Sequence, residues 1–137
     1  MAVGFGRIDL HMHSTLSDGT DTPEELLKKV KAANIGLFSV TDHDSIKSGR
    51  MIREALCGKG PSFITGVEFS CKDESGECHI LGYGFDPENA AILGAVDHSH
   101  GFRIKKINAR LDFLKTTFGF SFSEDDIAHL FSLENPG

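Results

Sequence analysis

The sequence predicts an α/β protein, with a largely parallel α/β unit over residues 1–88 and an all-helical segment over residues 89–137. Three observations carry this reading. Residues Arg7 to His13 alternate, with Ile8, Leu10 and Met12 on one side and Asp9, His11 and His13 on the other; such a period marks a strand with two unlike faces. Short apolar runs and capped amphipathic stretches then take turns as far as Phe85, giving the order β-α-β-α-β-β. After Asp86-Pro87 apolar residues recur three and four apart, the period of helices.

Each element has a local cause. Ser17-Asp18-Gly19 closes the first strand with a turn. Thr22-Pro23-Glu24-Glu25 starts a helix: Thr22 is the N-cap, Pro23 needs no N–H at the first position, and Glu25 completes a capping box. Leu26, Leu27, Val30 and Ala33 form its apolar stripe, and Asn34-Ile35-Gly36 stops it. Leu37 to Thr41 is a short apolar strand, followed by Asp42-His43-Asp44. A second helix runs from about Ile46 to Leu56 and ends at the breaker Gly58-Lys59-Gly60-Pro61. Ser62 to Ser70 is a third strand, Lys72 to Gly76 a charged loop, and His79 to Phe85 a fourth strand. Ile104, Ile107, Leu111, Leu114 and Phe118 mark a long amphipathic helix. Phe120 to Phe122 is a candidate strand. Ser123-Glu124-Asp125-Asp126 opens a last helix that buries Ile127, Leu130 and Phe131.

The chain of 137 residues suits one compact domain, and 39% apolar with 25% charged residues excludes compositional disorder. No apolar run reaches the roughly 18 residues of a membrane span. The start, MAVGFGRIDLHMH, lacks the basic and apolar regions of a secretory signal. A formal net charge of −6 disfavours strong binding to duplex nucleic acid. Cys57, Cys71 and Cys78 are odd in number and form no C-x-x-C pair, which argues against a disulfide framework and fits a reducing cytoplasm. Cys71 and Cys78 flank a polar loop and are read as free thiols, with a redox or ligand role as the alternative.

Chemistry-bearing residues gather at strand ends. His11-x-His13 places two imidazoles on one strand face, about 6.5–7 Å apart along the chain. Asp18 lies in the turn at the same end. His43, flanked by Asp42 and Asp44, follows the second strand. Glu68 lies near the end of the third, preceded by Gly66, and His79 opens the fourth. In parallel α/β architecture the C-terminal strand ends form the functional face. Singly, each has a bland alternative: a turn Asx residue for Asp18, a polar loop for His43, a solvated strand end for Glu68, a half-buried histidine for His79. Together they read as a polynuclear His and carboxylate metal site suited to Zn, Mn or Fe. Whether His79 joins it depends on the direction of the fourth strand, which the sequence leaves open.

The segments IDLHMHS, SDG, SVTDHD, GVEFS and HILGYG resemble, in order over about residues 7–85, the first motifs of the PHP (polymerase and histidinol phosphatase) superfamily. Residues Asp86 to Arg110 are similar to its small bacterial phosphoesterases, which act on AMP, on 3′,5′-bisphosphates or on short oligoribonucleotides. Those enzymes carry an all-helical insert after the fourth strand.

The resemblance implies a seven-stranded (β/α) barrel with up to three divalent metals. His11, His13 and Glu68 would bind the first; Glu68 would bridge to a second, also held by His79; Asp18 and His43 would bind the third. Arg103, at the start of the long helix, falls where similar proteins place a basic residue near substrate phosphate; the alternative is a solvated Arg in the RIKKINAR run. Asp42 and Asp44 would be supporting carboxylates that orient His43 or an adjacent ligand. The implied reaction is hydrolysis of a phosphate ester by metal-bound hydroxide. Three divalent ions would add about six positive charges locally, so an acidic chain can accept a small phosphorylated nucleotide.

The family also supplies later histidines and an Asp-x-His from the far end of its barrel. Here only His98, His100 and His129 follow His79, and His98-x-His100 reads best as a solvent-facing loop. A complete (β/α) barrel usually takes about 250 residues. The chain is therefore expected to be the first half of a barrel followed by a helical insert, weakly active or inactive alone. Two other expectations stand beside this: a non-catalytic PHP module of the kind attached to DNA polymerases, and self-association through open strand edges.

Overall fold

The computed structural model describes residues 6–133. Strands β1 (Arg7–Asp9), β2 (Ile35–Phe38) and β3 (Ser62–Phe63) form a parallel sheet in that order. Helices α1 (Pro23–Ala32) and α2 (Lys47–Leu56) make the two crossovers. The ends of the two expected units, residues 1–5 and 134–137, lie outside the described residues.

The α1 start follows the sequence reading. Thr22 N–H donates to the Glu25 carboxylate at 2.8 Å, and the Thr22 hydroxyl accepts from Glu25 N–H at 3.3 Å. Such a cap stabilises a helix by about 1 kcal/mol. Leu26, Leu27 and Val30 of α1 pack with Phe38, Val40, Ile52 and Leu56 into the core, and Met12, Ile35 and Phe63 lie against it.

The strands depart from expectation in instructive ways. β1 is shorter than Arg7–His13 and carries a register irregularity at Arg7/Ile8, and Ile8 is exposed. β2 starts two residues early and ends at Phe38. Its extended continuation still pairs with the first segment, as Ser39 and Thr41 N–H donate to the Asp9 and Met12 carbonyls.

The expected third strand is two strands. β3 pairs parallel with β2, whereas β4 (Gly66–Asp73) forms an antiparallel hairpin with β5 (Gly76–Tyr83). The change falls at Gly66, where a Cβ would collide with Ser39 Oγ and Thr41 Cγ2. Only glycine lets the chain pass this close to the sheet. The expected loop Lys72–Gly76 shrinks to a tight turn, because Asp73 Oδ1 accepts from Ser75 and Gly76 N–H at 2.7 and 3.1 Å. The unit is thus a parallel sheet plus a hairpin rather than largely parallel throughout.

Helix α3 (Ala90–Phe118) is 29 residues long and begins well before the apolar stripe at Ile104. Asn89 caps it, its side-chain oxygen accepting from Ala91 N–H at 2.9 Å. His98 and His100, expected in a loop, lie within this helix and face solvent. Gly119, at φ 69°, ends it. Phe120 to Phe122 is not a strand but an irregular link to α4 (Glu124–Ser132), capped by Ser123 with Asp126 as partner. Ile127, Leu130 and Phe131 are half-buried rather than buried.

Candidate metal centre

Glu68 is the hub of the site. It lies on β4 with its side chain only 5% exposed, while His11 and His79 beside it are about half exposed. Glu68 Oε2 stands 2.8 Å from His11 Nε2 and 3.0 Å from His13 Nε2; Oε1 stands 2.8 Å from His79 Nδ1. His43 Nε2 lies 3.9 Å from Oε2 and 3.7 Å from Asp18 Oδ2, and His13 Nδ1 lies 3.1 Å from Asp18 Oδ1. The imidazoles form a row, with ring centroids 5.1 Å apart for His11–His13, 4.8 Å for His13–His43 and 4.7 Å for His43–His79.

The backbone explains this convergence. His11 and His13 continue past β1 with the period of an extended chain. His43 forms a parallel bridge with Glu68, cemented by Glu68 N–H to Asp42 O at 3.2 Å and Asp44 N–H to Glu68 O at 2.9 Å. The antiparallel hairpin resolves the position of His79. It faces Ser70, and Leu81 faces Glu68, so His79 and Glu68 share one face of the hairpin two residues apart. All six residues expected at the site are brought together.

Three donor sets arise: His11, His13 and Glu68; His13, Asp18 and His43; and His43, Glu68 and His79, with the atoms of each within 4.8 Å of one another. Imidazole and carboxylate donors suit borderline divalent ions. Burial pushes the Glu68 carboxyl up, but the His11 hydrogen bond and the charges of His43, His11 and His13 outweigh it and hold the group below its ordinary range. Burial pushes the His43 imidazole down, against the pull of Glu68 and Asp18. Both shifts favour the forms that bind cations, an ionised carboxylate and a neutral imidazole.

The flanking carboxylates brace the site. Asp42 is fully buried and accepts three hydrogen bonds: from Ser14 N–H at 2.6 Å, Ser14 Oγ at 2.7 Å and Ser17 Oγ at 2.6 Å. Its hold is therefore on the turn that carries Asp18. Gly19 completes that turn, where a Cβ would collide with the His13 carbonyl. Asp44, at φ 53°, accepts from Ser70 N–H at 3.0 Å and from Arg103 Nη2 at 2.8 Å. Arg103 is thus neither at a helix start nor solvated in a charge run; it lies in the middle of α3, paired with a buried carboxylate.

Three residues escaped the sequence reading. Ser14 and Ser17 sit inside the motifs IDLHMHS and SDG, but nothing local shows that their partner lies at Asp42. Tyr83 donates its hydroxyl to the Leu10 carbonyl at 2.9 Å, tying the end of β5 to the first segment. Burial, then the Glu68 charge, push its phenol up.

The described residues contain no helix long and apolar enough to cross a membrane. Comparison with known proteins places the chain among relatives of known type. The chain is 33% identical over 102 residues to a 3′,5′-nucleoside bisphosphate phosphatase of Chromobacterium violaceum, covering 74% of this chain and 36% of that protein. It is 33% identical over 100 residues to a 5′-3′ exoribonuclease of Haemophilus influenzae, covering 73% and 36%. A Bifidobacterium adolescentis protein assigned as a metal-dependent phosphoesterase superposes with a TM-score of 0.76 at 23% identity, over 96% of this chain and 44% of that one, a likeness of fold. The chain spans about a third of the length of the curated relatives it matches. The family model for the PHP domain matches residues 9–127, and the chain belongs to the PHP domain family.

Proposed function

We propose that this chain is part of a metal-dependent phosphoesterase that hydrolyses the phosphate monoester of a nucleotide, AMP or a 3′,5′-bisphosphate, or a short oligoribonucleotide. The observation that carries the reading is the Glu68 carboxylate, buried yet reached by His11, His13 and His79 within 3.0 Å. The activities named for the two relatives support the substrate class.

The residues fit divalent ions such as Mn, Zn or Fe. His11, His13 and Glu68 would hold one, Glu68 and His79 with His43 a second, Asp18 and His43 with His13 a third. When bound, such ions supply Lewis-acid polarisation of the phosphoryl oxygens and a more acidic water. Glu68 keeps the imidazoles in register, and Asp42 fixes the turn that presents Asp18. Arg103 carries five N–H donors, so its pairing with Asp44 leaves others for substrate phosphate.

We further read residues 1–88 as the opening of a seven-stranded barrel and 89–137 as a helical insert, which leaves the chain poorly active alone. The exposure of Ile8, Ile80 and Leu81 on β1 and β5 supports this. Elemental analysis of the purified chain tests the site. Stoichiometric Mn, Zn or Fe, lost in Glu68→Gln, is the expected result; a chain that retains no metal after dialysis against each ion would sink the reading. Turnover of AMP or a bisphosphate by this chain at ordinary enzymatic rates would overturn its incompleteness.

A further inference from the structure

We propose that Cys71 and Cys78 are a redox modification site: a pair of thiols that closes into a reversible disulfide across the β4–β5 hairpin. The two residues are direct partners in the antiparallel register. Both are free, Cys78 exposed and Cys71 partly buried. Burial, then Cys78 and Asp44, push the Cys71 thiol up, so the more exposed Cys78 is the sulfur that an oxidant meets first.

The ladder pattern fixes the kind of pair. Glu68 N–H donates to the Asp42 carbonyl and Ser70 N–H to the Asp44 carboxylate, so both turn away from β5. Pairs alternate along an antiparallel ladder. Glu68↔Leu81 and Ser70↔His79 are therefore the non-hydrogen-bonded pairs, and Cys71↔Cys78 is a hydrogen-bonded one. Such pairs hold their Cα atoms about 5.5 Å apart, inside the range a disulfide spans. Facing Cβ atoms in a sheet lie about 4.5–5.5 Å apart, against about 3.8 Å in a disulfide. Closure must draw the strands together by roughly an ångström, and a bond held under that load is readily reduced again.

The consequence reaches the site. His79 follows Cys78 directly and contacts Glu68, and Ser70 precedes Cys71 and holds Asp44. The thiols point to the opposite face of the hairpin, so they do not compete for the metal positions. With hydrogen peroxide as oxidant, Cys78 attacks a peroxide oxygen and releases water, leaving a sulfenic acid; Cys71 then attacks that sulfur and releases a second water. Two thiols and one peroxide give one disulfide and two waters. A small dithiol reverses the step.

The test uses the Cys57→Ser chain, which removes the separate thiol at the end of α2. One equivalent of peroxide is expected to lower the intact mass by 2 Da, to yield a peptide linking Cys71 to Cys78, and to be undone by dithiothreitol. Monomer carrying added oxygen atoms, or only intermolecular dimers, would overturn the proposal. Cys57→Ser with Cys78→Ser, checked by thermal unfolding in reducing buffer, is expected to lose the 2 Da response while staying folded. Long-range ¹H–¹⁵N spectra of the metal-free chain are expected to show the His79 imidazole shifted on oxidation; unchanged signals would overturn the link to the site.

Discussion

Arg103 and Asp44 are 59 residues apart in sequence, yet Arg103 Nη2 lies 2.8 Å from Asp44 Oδ2. The contact joins the middle of α3 to the segment that follows His43. Because Asp44 is buried, losing its partner leaves a desolvated charge. Arg103→Ala is expected to lower stability by about 1–3 kcal/mol, read as a lower urea midpoint. Arg103→Lys recovers only part, since an ammonium lacks the planar fork. Equal midpoints for all three proteins would show that the bridge carries no stability.

Glu68 and Arg103 separate metal binding from support. Glu68→Gln keeps the shape but loses the charge shared by two of the three donor sets. Outer residues of metal sites typically cost about 10–100-fold in affinity, and a shared ligand costs more. Titration with Mn or Zn is expected to show a loss beyond 100-fold for Glu68→Gln and little change for Arg103→Ala. Equal metal content in both variants would refute the ligand assignment.

Acid is expected to weaken the metal-free chain. His43 binds its proton less readily when folded, so the unfolded chain takes up protons first as pH falls through the ordinary imidazole value of 6.5. The Glu68 contribution is present above its ordinary value of 4.5 and is lost as pH falls through the lower folded value. Stability measured by denaturant at stepped pH is expected to fall in two stages, the first near neutrality. Replacing His43 with Asn removes the first stage; its persistence would assign it elsewhere.

Gly66 and Gly19 have no room for a side chain. Gly66→Ala places a methyl group on Ser39 and Thr41 and is expected to cost about 1–3 kcal/mol. Gly19→Ala forces the Asp18 turn off the His13 carbonyl and is expected to weaken metal binding more than stability. Paired thermal melts and metal titrations distinguish the two; the opposite ranking would contradict the packing described.

Local signals were legible in the sequence and tertiary ones were not. Thr22, Pro23 and Glu25 announce α1 because a cap involves neighbours only. The six candidate ligands stand out because their residue types recur at successive strand ends. The hairpin was hidden inside the run from Ser62 to Ser70, since the break at Gly66 comes from contact with Ser39 and Thr41, far away in sequence. The first half of α3 was missed because a largely exposed helix needs no apolar stripe, although Asn89 before two alanines was a usable start signal.

The engaged carboxylate of Asp42 has a consequence for ion binding. With both of its oxygens engaged by Ser14 and Ser17, the turn bearing Asp18 is already held in the metal-free fold. The conformational entropy that a loose loop would surrender on capturing an ion is already lost. The rate at which ions enter should then be governed by stripping their hydration water, so loading should accelerate with the water-exchange rate of the ion.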